Sequence, residues 1–309
     1  MPFSVLKKFL DDPCLRVTPS HCQNDPFEFG YTQEDIDFLN NHNAGENLGE
    51  ALKDYMSLHG IISLTTSNEN ITMWSHYADK HKGVVIELLI DEDAPENLFI
   101  NSTGPNSPPF NFQDFLFQAV NYRKKRGSFD ISKVSSLDTV KDHYYFTKAK
   151  QWETEDEYRF ITPMIWINKI LFNSDGLARA QNILGDLANN IKCINENENE
   201  NENIENRLYK LEPVLIEPDL IHRLWSSSNE ADTMFFINLN SDYIGRIFLG
   251  CQFNLEELST FMKQDRYEMY SIRTHYYHAL NGQTRNIYQA KIDKNKYAFQ
   301  FEDVKFCFY

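Results

Sequence analysis

The sequence predicts an α+β fold, with a mixed, largely antiparallel sheet and flanking helices. Three observations point there. Short runs of β-branched and aromatic residues recur along the chain. Segments of helical apolar spacing fall between them, and the two kinds alternate without the regular strand–helix–strand rhythm of a parallel sheet. The 309 residues are enough to bury a large core without disulfide or metal, and they read as a single domain over 1–309. An apolar share of 41% with 23 Phe and 16 Tyr excludes general disorder.

Five helices are expected, one of them within the Ile62–Leu88 stretch taken up below. Thr32 with Asp35 forms a capping box opening a helix through Phe38, and a second helix, Glu46 to Leu58, ends near Gly60. Ser136 to Trp152 reads as one long helix. Ser174 to Lys192 places Leu177, Ile183, Leu184, Leu187 and Ile191 at mostly helical spacing, with Ser174 or Asp175 as N-cap. Strands are expected at Ile61–Thr65, Val84–Ile90, Leu98–Asn101, Phe117–Tyr122 and Tyr158–Thr162. Further ones follow at Ile165–Phe172, Leu208–Ile216, Tyr243–Leu249 and Ile287–Ile292. Ser102–Asn111, with three prolines and a glycine, is a loop. Asn195–Asn206, alternating Asn and Glu, has no apolar face and reads as a disordered or mobile solvated loop.

Charge narrows the function. The net charge is −15, and five of those excess negative charges sit in the Asn/Glu loop. A broad duplex-DNA face needs basic residues to release counterions, so that class is not expected. The one dense basic run, Tyr122 to Arg126, reads as a solvated loop. No stretch approaches 18 apolar residues, so no membrane partner is expected. The five cysteines are scattered without a Cys-x-x-Cys pair, and the start lacks a cleavable apolar leader. Free thiols in a cytoplasmic protein are the expectation. His275 and His278 read as surface or packing residues, with no third metal ligand beside them.

Chemistry concentrates in four stretches. In NDPFEF, Asn24 to Phe29, turn-forming residues project Asp25 and Glu28 while Phe27 and Phe29 pin the turn to the core. In Ile62 to Leu88, a strand carrying Ser63, Thr65 and Thr66 precedes a helix capped by Asn68 or Asn70 and closed by Gly83. That helix bears Trp74, His76 and Tyr77, with Trp74 and Tyr77 at same-face spacing; His76 suits either a ligand contact or a backbone bond. In KAKQWETEDEYRFI, Lys148 to Ile161, Glu155, Glu157 and Arg159 alternate and would share one face of a strand. Either they form a surface ladder, or they bind a substrate hydroxyl and steady a developing cation. IGRIFLG, Ile244 to Gly250, is explained by packing.

These stretches, together with the late RNIYQAKID, resemble in order the bacterial family known as domain of unknown function 2971 (DUF2971), from about Leu15 to Phe299. Members of that family open with a strand bearing Tyr, Lys or Arg, which is shortened or missing here because the chain begins MPFSVLKKFL. A second resemblance is to ADP-ribosyltransferases of the Arg-Ser-Glu type. That resemblance implies NAD as substrate, with Glu157 bonding the nicotinamide-ribose hydroxyl and Glu155 orienting the acceptor. Ser63, Thr65 or Thr66 would be the strand-end hydroxyl, Arg16 the nearest equivalent of the first-strand Arg, and Trp74 or Tyr77 the stacking ring. A bacterial effector acting in phage defence is the setting it suggests. Two other readings stay open. One is a non-catalytic nucleotide-sensing or partner-binding module, with Asn24, Asp25, His76, Tyr77 and Arg159 lining the pocket. The other is a metal-dependent nuclease using Asp25, Glu28, Glu155 and Glu157.

Overall fold

The computed structural model describes residues 1–25, 27–30, 35, 37, 41, 48–99, 116–124, 137–194, 207–213, 216–258 and 287–304. The Asn/Glu loop, the Pro-rich loop, most of the Thr32–Phe38 helix, the His275/His278 pair and Lys125–Arg126 lie outside the described residues. In chain order the main elements are α1 (Phe3–Asp11), β1 (Cys14–Pro19), α2 (Leu48–Leu58), β2 (His59–Thr65), α3 (Ile71–Tyr77) and β3 (Val84–Leu88). Then come β4 (Leu116–Ala119), β5 (Asn121–Arg123), α4 (Leu137–Tyr145), β6 (Thr147–Ala149), β7 (Glu157–Pro163) and β8 (Lys169–Phe172). The chain continues through α5 (Ser174–Leu184), β9 (Lys192–Cys193), β10 (Tyr209–Leu211), α6 (Pro218–Ser227) and β11 (Thr233–Asn238). It closes with β12 (Ile244–Leu249), β13 (Ile287–Ile292) and β14 (Phe299–Asp303).

The class is α+β, with a largely antiparallel sheet. The chain packs as two compact units, the first built from Met1–Cys14, Thr65–Ile100 and Leu239–Tyr309, the second from Leu15–Leu64 and Asn101–Asn238. The first unit holds the sheet β14-β13-β12-β3, in which β12 and β13 run parallel and the outer pairs antiparallel. Trp74, Ala78 and Phe248 form one core cluster of this unit, with Val85, Tyr288, Phe299 and Phe301 against them. The second unit holds the eight-stranded sheet β4-β7-β2-β1-β11-β8-β10-β9 and a short parallel pair, β5-β6. Helices α2 and α4 bury Leu52, Tyr55, Met56, Val140 and Tyr145 against Ile61 and Ile161 of the sheet. Strand β11 shows the expected period-2 pattern of a half-covered strand, Thr233, Phe235 and Ile237 being buried and their neighbours half-buried.

Several boundaries differ from the sequence expectation for local reasons. The chain opens with helix α1, and a strand, β1, follows it and carries Arg16. The helix expected to run to Trp152 stops at Tyr145, where Tyr144, Tyr145, Phe146 and Thr147 favour strand, and the chain turns into β6. Helix α3 is capped by Asn70, whose side chain accepts from Thr72 and Met73, and ends at Tyr77 rather than at Gly83. The closing residues Asp79, Lys80 and His81 all adopt positive φ, which satisfies the turn without glycine at some steric cost. Asn173, not Ser174 or Asp175, caps α5, and that helix gives way to a 3-10 turn at Gly185.

Candidate functional site

Strands β7, β2 and β1 lie side by side in the second unit. The register of β1 on β2 pairs Thr18 with Ile61 and Pro19 with Gly60; carried along both strands, it brings Arg16 level with Ser63. Ser63, which faces solvent, hydrogen-bonds the carboxylate of Glu157 at the head of β7. Beneath it lies a cluster of five ionisable groups, all nearly buried.

Arg159 organises the cluster. Its Nε donates to Glu157 Oε1 at 2.7 Å, and Nη2 reaches Glu157 Oε2 at 3.0 Å and Glu28 Oε1 at 2.7 Å. Its Nη1 donates to the carbonyl of Tyr145 at 2.8 Å, and its ring-stacked neighbour is Phe29, 5.7 Å away. Lys148 Nζ meets three carboxylates, Glu155 Oε2 at 2.7 Å, Glu157 Oε2 at 3.1 Å and Glu28 Oε1 at 3.3 Å. The face of Trp152 lies 5.2 Å from the same ammonium. Arg159 is 1% exposed and Glu157 4%, so these pairs are little screened and strongly directional. The Tyr122 hydroxyl accepts the Glu157 N–H at 2.9 Å, fixing the start of the strand.

Electrostatics follow from this packing. Burial alone would raise the Glu157 carboxyl; Arg159, Lys148 and Ser63 outweigh it and hold it below the usual carboxylate range. Burial pulls the Lys148 and Arg159 cations down, and the surrounding carboxylates more than reverse this, raising both. Three carboxylates face two cations, and Glu28 keeps a buried oxygen, Oε2, with no hydrogen-bond partner.

Sequence alternation is right for Glu157 and Arg159, which share a face of β7. It is wrong for Glu155, which ends a six-residue 3-10 turn (Lys150–Glu155) and reaches the cluster through Lys148 instead. Between them Asp156 is left-handed, with φ 46°. The surface-ladder reading fails, since these groups are buried. In the NDPFEF turn, Asp25 is buried and its Oδ1 accepts from Phe27 N–H, while Asn24 is exposed. Phe29 packs on Tyr145, whereas Phe27, expected to be a second anchor, is 65% exposed. Arg16 is one-third exposed on β1 and lies 3.2 Å from the carbonyl of Glu230 and 3.8 Å from its carboxylate. Its Nε is buried without an acceptor.

Trp74, His76 and Tyr77 belong to the first unit. Trp74 is a core residue, 1% exposed, edge-on to Phe299 and donating from Nε1 to the Asn68 carbonyl at 2.6 Å. A covered ring cannot stack on a ligand. His76 and Tyr77 face solvent, so Trp74 and Tyr77 do not share a buried face; Ala78 joins Trp74 in the core instead.

Lys148 is the member that the sequence does not nominate; Glu28 enters there only among the metal-binding carboxylates of the nuclease reading. Lys148 sits inside a predicted helix, which hides its strand position. Two of the stretches above nevertheless supply all five groups of the cluster, and a third supplies Ser63. The Glu28, Glu155 and Glu157 carboxylates each bind Lys148, and among the described residues no group of three or more His, Cys, Asp or Glu is arranged to hold a metal ion. No described helix is long and apolar enough to cross a membrane.

Residues 73–160, from α3 to β7, match the model of the family described as protein of unknown function (DUF2971). That match takes in Lys148, Glu155, Glu157 and Arg159 and leaves Ser63 and Glu28 outside. Neither the curated proteins nor the solved structures contain a match.

Proposed function

We propose that the second unit cleaves the nicotinamide–ribose bond of NAD, transferring ADP-ribose to an acceptor or to water. The observation that carries this reading is the strand order β7-β2-β1, which sets Glu157, Ser63 and Arg16 on three adjacent strands with Ser63 bonded to Glu157. These are the three elements that the Arg-Ser-Glu resemblance calls for. In this reading Glu157, held ionised by Arg159, accepts from the ribose hydroxyl and stabilises the oxocarbenium-like charge that develops as nicotinamide departs. Glu155 orients the acceptor, and Arg16 offers its remaining donors to the pyrophosphate. The test is incubation with NAD labelled in the nicotinamide ring. Release of free nicotinamide by the protein, lost in Glu157→Gln, is the expected outcome; intact NAD with every acceptor extract supplied would overturn the reading.

A second reading is favoured by one specific feature. Both Glu157 oxygens are already taken, Oε1 by Arg159 and Oε2 by Arg159 and Lys148, as in a purely structural ion lattice. A nucleotide-sensing or partner-binding module would look the same. It separates from the first in a thermal-shift measurement, where a nucleotide raises Tm by binding the folded state without being consumed.

A further inference from the structure

We propose that Lys150–Asp156 is a strap over the Glu157 carboxylate and that Lys148 is its latch; this rests on the reading of the Ser63–Glu157 cluster as the working site. The strap is the 3-10 turn that joins β6 to β7. Six residues is long for a 3-10 run, whose hydrogen bonds are poorly aligned, so such a turn resists opening less than an α-helix does. It ends at the left-handed Asp156, a non-glycine residue in a sparsely populated conformation, which is where a hinge can store strain.

Lys150, Gln151, Glu153 and Thr154 of the strap face solvent. Its inward side chains, Trp152 and Glu155, both meet the Lys148 ammonium. The same ammonium reaches Glu157 and Glu28, which belong to β7 and the NDPFEF turn. The Lys148 charge therefore joins the strap to β7 and to the NDPFEF turn at once. Arg159 is anchored differently. The Tyr145 carbonyl and Glu28 hold it independently of the strap, and its Nε bonds Glu157 Oε1, the oxygen that Lys148 does not bridge. A hydroxyl donor arriving at Glu157 Oε2 exchanges with Lys148 while Arg159 keeps the carboxylate oriented and charged. Ser63, exposed and bonded to Glu157, leaves that carboxylate one hydrogen bond below the surface.

The latch is tested by hydrogen exchange on the full chain without NAD. Glu155→Gln removes the charge that binds the strap and leaves the cluster with two carboxylates against two cations, so folding is retained. Exchange across 150–156 is expected to rise about tenfold, as for loss of one charge-assisted hydrogen bond, with the rest of the second unit unchanged. Lys148→Met is expected to open the same segment and, in addition, to lower overall stability, since three buried carboxylates then face one guanidinium. Unchanged exchange in 150–156 in Glu155→Gln, or a rise spread evenly over the whole unit, would overturn the latch. A loosened strap in a protein that releases no nicotinamide overturns the NAD reading and leaves the latch standing. A rigid strap in a protein that does release it overturns the latch alone.

Discussion

The two units use similar-looking sequence in opposite ways. WSHYADKHKG in the first unit turns its largest ring inward and its polar groups outward: Trp74 is core, while His76, Tyr77, Lys80 and Lys82 face solvent. WETEDEYR in the second turns three of its five charges inward, so that Glu155, Glu157 and Arg159 are buried around Lys148. Burying a tryptophan costs nothing once its N–H finds an acceptor, and here the Asn68 carbonyl provides one. Burying charges is expensive, and the expense is offset only while every partner stays in place. The first stretch is therefore explained by packing; the second invites a functional explanation.

The contrast makes its largest prediction for Arg159→Met. Leaving Glu28 and Glu157 without their guanidinium should cost about 3–5 kcal/mol in urea denaturation at neutral pH. Trp74→Ala should cost a similar amount, about 3–5 kcal/mol, by opening a cavity. The two separate on acidification, because protonated carboxylates no longer need Arg159 whereas a cavity is indifferent to pH. Equal pH dependence of both penalties would erase the contrast.

Glu157→Gln is expected to have a smaller effect, on the order of 2 kcal/mol at pH 7. Because the Glu157 carboxyl is held below its ordinary value in the folded protein, its contribution is present above the unfolded value of about 4.3 and is lost as pH falls through the folded one. The gap between wild type and variant in urea midpoint should therefore close at low pH. Lys148 has the opposite sign. Its amine is raised, so its contribution persists below about 10.4 and disappears only as strongly alkaline pH passes the folded value. The smallest effect belongs to the first unit: Lys80→Gly relieves one of three consecutive left-handed residues, and Tm should stay or rise by the equivalent of ~1 kcal/mol.

Much of this was legible in residue order, and the exceptions have physical causes. Period-2 alternation is enough to put Glu157 and Arg159 on one face, because β7 is regular from its first residue. It misplaces Glu155 because one left-handed residue, Asp156, breaks the period, and nothing in an Asp announces that conformation as a glycine would. Lys148 is hidden by the apparent continuity of a helix from Ser136, though the aromatic and β-branched run Tyr144 to Thr147 marks its end. Strand β1 alternates Leu15, Val17 and Pro19 across Arg16, a pattern that the preceding apolar helix α1 masks. Helix α6 carries its own signal, Pro218 at the first helical position. Glu28 reaches the cluster from 131 residues away, a pairing that only the folded sheet reveals.

The most direct test is nicotinamide release from NAD by three proteins of confirmed fold: wild type, Glu157→Gln and Lys80→Gly. The buried cluster of the second unit as the working site predicts release by wild type, a loss of about a hundredfold or more in Glu157→Gln, and an unchanged rate in Lys80→Gly. Equal release by wild type and Glu157→Gln would contradict it.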